Sequence, residues 1–361
     1  MVLRTPLHAE HQQLGASFTD FGGWDMPVRY GSDLDEHHAV RNSAGLFDIS
    51  HMSEFTITGA QAAEYLDFCL VSQVSKLAVG RAKYTMLCNE AGGVIDDLIV
   101  YRLGETEFLI IANASGRQSV WQALQERSAD FELAELKDRS DEMALIAIQG
   151  PRATEILQRI CSIDLAPLKY YSIDAGMVAG IDAHLARTGY TGENGFEILV
   201  AAEDARAIWR ELLAAGGDEL TACGLACRDT LRLEAGMPLY GHELNTETNP
   251  YQAGLGRIVS TGRNFVGAEA LVGKEKSEPR LYGLRGEGRR AARADYEVFL
   301  PEGESAIGVI TSGALSPTLG YPIAMAFLSG NLSMGDKVEA DVRGTRIEFE
   351  VVDLPFYRRA K

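Results

Sequence analysis

Cysteine is scarce in this chain: five residues in 361, an odd number, which argues against a disulfide framework. Cys69 and Cys161 follow apolar residues in helical patterns and read as core. Cys223 and Cys227 are four apart near a helix start, but no second pair accompanies them and His242 lies in a Gly-rich turn, so no metal site is assigned. No run of about eighteen apolar residues occurs, which excludes a helical membrane span. The stretch from Met1 to Gly15 carries His8, Glu10 and His11 and no apolar leader core, so a cytoplasmic chain is expected. Basic residues are in deficit. The 34 Lys and Arg against 51 Asp and Glu leave a net charge of −17, which disfavours nucleic acid as a partner of the whole chain. Nucleotide fingerprints are missing too: no glycine loop is followed by a Lys-Ser/Thr pair, and Gly254 with Gly256 is too little for a dinucleotide turn. His8, His11, His37, His38 and His51 have no metal-ligand spacing, and no serine elbow is present.

What the chain does have is core: 46% hydrophobic and 24% charged residues over a length that implies two or three domains. Its most informative stretch is Gly92 to Tyr101, where Asp96 and Asp97 sit inside a β-branched strand. Strand side chains alternate, so Asp97 shares a face with Ile99 and Tyr101, and Asp96 shares the other with Leu98 and Val100. A carboxylate among apolar groups costs several kcal/mol unless paired, protonated or kept for a ligand. Asp97 takes the functional reading. Asp96 takes the bland one, a strand end at a solvated hairpin mouth with Gly92 and Gly93 as the turn. Phe108 to Asn113 reads as the next strand; a loop centred on Glu105 puts Asp97 opposite Asn113, with Tyr101 on the same face and Tyr84 of the preceding strand within reach. A one-residue slip would undo this.

Along the chain, a loop from Phe21 to Pro27 precedes a helix from Ser32 to Asn42, capped by Ser32. From Ser53 to Gly150 the pattern is strand, helix (Ala60 to Val71), the three-strand meander, a helix from Ser115 to Arg127, and strands around Phe131 to Leu136 and Met143 to Ile148. A similar passage follows: a helix from Pro151 to Ile160, strands around Ala183 to Arg187 and Phe196 to Val200, and helices from Glu203 to Ala215 and Gly224 to Glu234. The expected fold class is α+β. Residues 1–52 with 151–270 make a first, discontinuous unit, and 53–150 a second that carries Asp97. After a linker near 270–279, residues 271–361 make a small β-barrel-like domain of short strands broken by Gly, Pro and Ser.

A second constellation lies in Arg187 to Glu197, whose three glycines let a loop approach something closely. Glu197 then shares a strand face with Leu199, where it suits the paired donors of an amino-pyrimidinone edge; its bland reading is the exposed base of a hairpin. Arg228 and Arg232 share a helix face and, beside Asp229 and Glu234, read equally as surface ion pairs.

With Asp25 to Tyr30, His37 to Met52, Gly92 to Tyr101, Arg187 to Glu197, Arg228 to Glu243, Ser312 to Gly320 and Leu354 to Tyr357 assembled, the sequence resembles the T-protein family of the glycine cleavage system nearly end to end. The resemblance implies a folate-binding T-protein-like fold, two α+β units around a central cavity and a C-terminal barrel. It implies an aminomethyltransferase that takes an aminomethyl group from the dihydrolipoyl arm of H-protein, with tetrahydrofolate as cosubstrate, releasing ammonia and forming 5,10-methylenetetrahydrofolate. Asp97 matches the catalytic carboxylate, Glu197 the acid that holds the pterin ring and Arg228 a folate-contacting arginine. Tyr84, Tyr101, Asn113, Tyr190 and Met52 match cavity-lining positions. Asn194 and Arg257 depart from the family pattern, where Asp and Trp are common. Two alternatives are a folate-dependent demethylase of the same fold and a non-catalytic folate-binding iron-sulfur assembly factor. Thr188 to Glu193 and Asp97 speak against the second.

Overall fold

Period-two patterning builds three large sheets and a two-stranded ribbon in the computed structural model, which describes residues 2–359. The chain divides into two compact units. The first comprises residues up to Leu87 with Asp96–Gly189 and Glu193–Arg228; the second comprises Cys88–Ile95, Tyr190–Gly192 and the chain from Asp229 onward.

In the first unit, a six-stranded sheet runs in the order Ile173–Val178, Ile181–Ala186, Gly195–Ala201, Met143–Gln149, Ala44–Asp48, Leu220–Ala222, antiparallel except for its last pair. Phe196, Ile198 and Val200 point into a core with Ile156 of the Ala153–Gln158 helix and Trp209 and Leu212 of the Ala205–Gly216 helix. By alternation Glu197 and Leu199 face the other way. The second sheet orders Ala82–Cys88, Val94–Gly104, Glu107–Ala112, Ser53–Thr58, Glu135–Asp138. Its helix-bearing face carries Phe55, stacked at 5.5 Å on Trp121 of the Arg117–Arg127 helix. Ser32 caps the Asp33–Asn42 helix as its sequence predicts, accepting from Asp35 N at 3.2 Å.

In the second unit, six strands close a barrel in the order Arg280–Gly286, Pro322–Leu328, Ala306–Leu315, Glu297–Phe299, Lys337–Asp341, Arg346–Val352, the last pairing back to the first. Closure removes the unpaired edges that short strands otherwise expose. The Ser312 to Gly320 motif acts here as a clamp. Arg232 Nη2 donates to Ser312 Oγ at 2.8 Å, while Ser316 Oγ and Thr318 Oγ1 donate to the Glu234 carboxylate at 2.5 and 2.8 Å. Arg232 also pairs with the buried Glu243 at 3.0 Å and with the exposed Asp229 at 2.8 Å, so the surface pairing read from the sequence holds for Asp229 and not for the buried Glu234. The Gly92 and Gly93 turn packs within this unit as well: a methyl group added at Gly93 would lie 1.8 Å from the carbonyl oxygen of Thr246.

Three expectations need correction. Phe21 to Pro27 is a hairpin, not a loop: Ser17–Phe21 pairs with Trp24–Arg29 across Gly22 and Gly23, both at positive φ. The strand expected around Phe131 to Leu136 forms later, over Glu135–Asp138. Met143–Gln149, grouped by sequence order with 53–150, pairs on both sides within the six-stranded sheet.

Candidate active site

Register decides what Asp97 meets. Leu98 pairs with Ala112 and Ile99 with Ile111, so the next position sets Asp97 against Asn113, as the sequence predicts. Asn113 Nδ2 donates to Asp97 Oδ1 at 2.8 Å, and the Tyr84 hydroxyl donates to Asp97 Oδ2 at 2.9 Å. Asp97 is half-buried. Asp96 is not the solvated residue expected of a hairpin mouth: it is fully buried and accepts from Asn113 N at 2.9 Å and Asn113 Nδ2 at 2.7 Å. Burial and the adjacent Asp97 push its carboxyl well above the usual range, and the amide donors pull it back.

About 13 Å along the same strand face, four residues at ~3.3 Å each, Tyr101 reaches the other sheet. Its hydroxyl lies 3.3 Å from Glu197 Oε2 and 3.1 Å from Thr188 Oγ1, and Thr188 Oγ1 donates to Glu197 Oε2 at 2.5 Å. Glu197 is buried, which removes the exposed hairpin-base reading. Burial raises its pKa; the Thr188 hydroxyl, the Arg228 guanidinium and the Tyr101 hydroxyl oppose that rise. A carboxylate held this way is an acceptor kept dry beside a cation, a donor set that fits a flat heterocycle edge with adjacent N–H groups.

Arg228 acts on a second neighbour, His51, to which the sequence analysis assigns no role. His51 is buried, next in sequence to Met52, and packs edge-on against Phe21 at 5.5 Å. Burial pushes its pKa down to about 4; Asp48 opposes this and Arg228 adds to it, so the imidazole is neutral near pH 7. Ser50 N donates to Asp48 Oδ1 at 2.9 Å and fixes the turn that carries His51 and the half-buried Met52. Only tertiary contact distinguishes His51, so its sequence carries no signal. Tyr190 belongs to the second unit, where its hydroxyl donates to the Pro238 carbonyl at 2.5 Å.

The glycines of the Arg187 to Glu197 loop answer to protein rather than to ligand. Methyl groups at Gly189 and Gly195 would fall 2.0 and 2.5 Å from the amide of the buried Gln149, which donates to Thr188 O at 3.1 Å. Arg41 and Glu193, both buried, pair at 2.8 Å and tie the loop down again. Asn194 accepts from Arg187 and donates to Thr154 Oγ1 at 2.8 Å, a packing role, and Arg257 is exposed. Glu36, Cys223 and Cys227 bring potential metal-binding atoms within 4.8 Å. They are accounted for without an ion: Glu36 accepts from Tyr30 N, Gly31 N and Gly224 N, and the thiols donate to backbone carbonyls.

Residues 7–263 match the GCVT N-terminal domain and residues 280–358 the glycine cleavage T-protein C-terminal barrel domain. The chain belongs to the glycine cleavage T-protein family. Curated aminomethyltransferases of Streptomyces avermitilis and Corynebacterium jeikeium are 54% and 51% identical, covering 99% of this chain and 98% and 99% of theirs. The crystal structure of glycine cleavage system aminomethyltransferase T from Bartonella henselae superposes with a TM-score of 0.93 at 35% identity, covering all of both chains. The α+β fold with a terminal barrel is therefore a T-protein fold, and the chain is an aminomethyltransferase. Neither the demethylase nor the assembly-factor alternative is favoured. Among the described residues no helix is long and apolar enough to cross a membrane.

Proposed function

We propose that this T-protein moves the aminomethyl carbon from the dihydrolipoyl arm of H-protein to tetrahydrofolate, releasing ammonia and giving 5,10-methylenetetrahydrofolate in the cytoplasm. The observation that carries this reading is one sheet face bearing Asp97 at one point and, about 13 Å along it, a tyrosine joined to a buried glutamate. Glu197, kept in place by Thr188 and Tyr101 and balanced by Arg228, holds the pterin edge through charge-assisted hydrogen bonds. Asp97, oriented by Tyr84 and Asn113, stands where positive charge develops on the transferred carbon as ammonia leaves. A fixed carboxylate stabilises that charge most where water is excluded, and its orientation aligns the attacking nitrogen without becoming a nucleophile itself. When bound, tetrahydrofolate supplies the nitrogens that accept the carbon. Met52, Tyr84, Tyr101 and Asn113 line the bound cosubstrate in this reading, and Tyr190 does so on the resemblance alone. Residues 1–52 with 151–270, 53–150 and 271–361 stand as its three proposed domains, with Met143–Gln149 moved to the first.

With a net charge of −17, this chain as a whole would repel a carrier of the same sign, so docking of an acidic carrier would call for local positive charge. In the barrel unit, Arg289 and Arg290 are exposed in the loop after Arg280–Gly286, and Arg293 is exposed with one Nη donating to Gly313 O at 3.0 Å. Arg285 pairs with Glu350 at 2.9 Å and Arg358 with Asp353 at 3.5 Å, so they offer less; Lys361 lies outside the described residues. We assign carrier docking to the Arg289 and Arg290 loop. The deciding assay is release of ammonia and formation of methylenetetrahydrofolate from aminomethylated H-protein, run beside a panel of small methylated amines. Turnover of a methylated amine with none of the carrier would overturn the assignment.

A further inference from the structure

Asp96 and Asp97 leave their strand on opposite faces, yet both reach one carboxamide. Asn113 Nδ2 lies 2.7 Å from Asp96 Oδ1 and 2.8 Å from Asp97 Oδ1, with the Asp97 carbonyl oxygen at 3.0 Å. The Asn113 backbone N–H donates to the second Asp96 oxygen at 2.9 Å. An amide side chain can be rotated by half a turn at little steric cost, exchanging its NH2 for its oxygen. Asp97 alone already disfavours the flip, which would set the amide oxygen against a carboxylate and a carbonyl, and Asp96 adds to that bias. With Asp96 accepting on the other side, the flipped state sets an amide oxygen against two carboxyl groups at once. Asp96 thus reinforces which end of Asn113 meets Asp97. Packing leaves Asp96 no room to withdraw: a methyl group at Gly116, in the turn that follows Asn113, would lie 2.5 Å from Asp96 Oδ2.

We propose that Asp96 is a positioning residue for the transfer reaction, acting through Asn113 to hold the Asp97 carboxylate in its working orientation. The inference rests on the assignment of Asp97 as the group beside the reacting carbon. Asp96 is fully buried, with no surface open to a substrate. Its contribution is to the geometry of a neighbour, which sets turnover and leaves binding of the folate alone.

The test is a double-mutant cycle with steady-state kinetics on the full chain and aminomethylated H-protein. Asp96→Asn brings an NH2 group to a place where two N–H donors already point, and kcat should fall at least tenfold while KM for tetrahydrofolate stays within twofold. Asn113→Ala should produce a similar fall in kcat. Adding Asp96→Asn to Asn113→Ala should then lower kcat by less than twofold, because the path through the amide is already cut. Gly116→Ala displaces Asp96 without altering any charge and should reproduce the loss of kcat, which keeps the proposal testable if Asp96→Asn folds poorly. Multiplicative losses in the double variant, or kcat retained in both Asp96→Asn and Gly116→Ala, would overturn it. Full activity of Asp97→Asn would instead sink the underlying assignment of Asp97, so the two failures are distinguishable.

Discussion

Replacing Glu197 by Gln separates binding from stability in opposite directions. The carboxylate is buried and accepts from two neutral hydroxyls, at 2.5 and 3.3 Å, with Arg228 acting through space. Its pKa is raised, so ionised Glu197 is less stable folded than unfolded. By linkage that cost is absent below the ordinary carboxylate range and grows as pH rises above it. Gln does not titrate and avoids the cost. The ligand-free variant should therefore melt no lower than wild type, with the difference moving in its favour from about pH 5 to 8. Folate binding should move the other way. The amide keeps an acceptor but loses the charge and one of two charge-assisted hydrogen bonds to the pterin edge, worth roughly 1.5 to 3 kcal/mol. At ~1.4 kcal/mol per decade this raises Kd for tetrahydrofolate roughly 10- to 150-fold. Calorimetric titration with tetrahydrofolate, and thermal unfolding across that pH range, give both quantities. An unchanged Kd would refute the role of Glu197 in binding, and a melting point that falls with affinity would show that the carboxylate holds the fold together instead.

Asp97→Asn should retain the fold and most of the folate affinity while turnover drops on the order of a hundredfold or more, as for other preorganised electrostatic groups; near-normal turnover in single-turnover assays would contradict this. Charge reversal at Arg289 and Arg290 should raise the apparent KM for H-protein and flatten its dependence on salt, with folate affinity unchanged. Identical salt dependence in variant and wild type would place docking elsewhere. Glu54 is buried with neither carboxylate oxygen hydrogen-bonded among the described residues, and burial drives its pKa well up, so its cost to the fold also grows as pH rises. Glu54→Met should stabilise the protein by about 1 to 3 kcal/mol at pH 8 and less at pH 5, measured by denaturant unfolding. His51, neutral when folded, should make wild type lose stability as pH falls from 6.5 toward about 4, and His51→Gln should lessen that loss.

The site was legible in sequence wherever alternation and a short turn together fix geometry. A loop centred on Glu105 gives the register that brings Asn113 to Asp97, and a register shift between Arg102 and Gly104 reconciles it with the Gly104 and Glu107 pairing at the turn; alternation alone puts Glu197 opposite Phe196 and Ile198. Three of the six barrel strands, around Gly308 to Thr311, Ile323 to Phe327 and Val338 to Val342, were legible because Gly, Pro and Ser punctuate them, whereas Arg280–Gly286 lay hidden in a charged stretch. Asp96 misled because a residue near a glycine turn looks solvated, whereas its burial depends on Gly116, twenty residues away in the chain. The loop glycines spoke truly of close approach but not of what approaches, since Gln149 comes from a strand about forty residues earlier. Pro27 and the paired glycines made Trp24–Arg29 resemble a loop, although Gly22 and Gly23 at positive φ are a hairpin signal in their own right.

The notch at Gly93 bears on which aspartate takes which face of its strand. Val94, Leu98 and Val100 line one side of the strand and Ile95, Ile99 and Tyr101 the other, so apolar alternation, which settles alignment elsewhere, says nothing here. With two identical acids in a row, a strand displaced by one residue would still present a carboxylate on each face and would look native to any measure of overall folding. A displacement that moves Val94 into the place of Gly93 would drive it against the Thr246 carbonyl, where even one added carbon is too much. The missing Cβ at Gly93 therefore bars one of the two slips that would exchange the faces taken by these two chemically equivalent side chains.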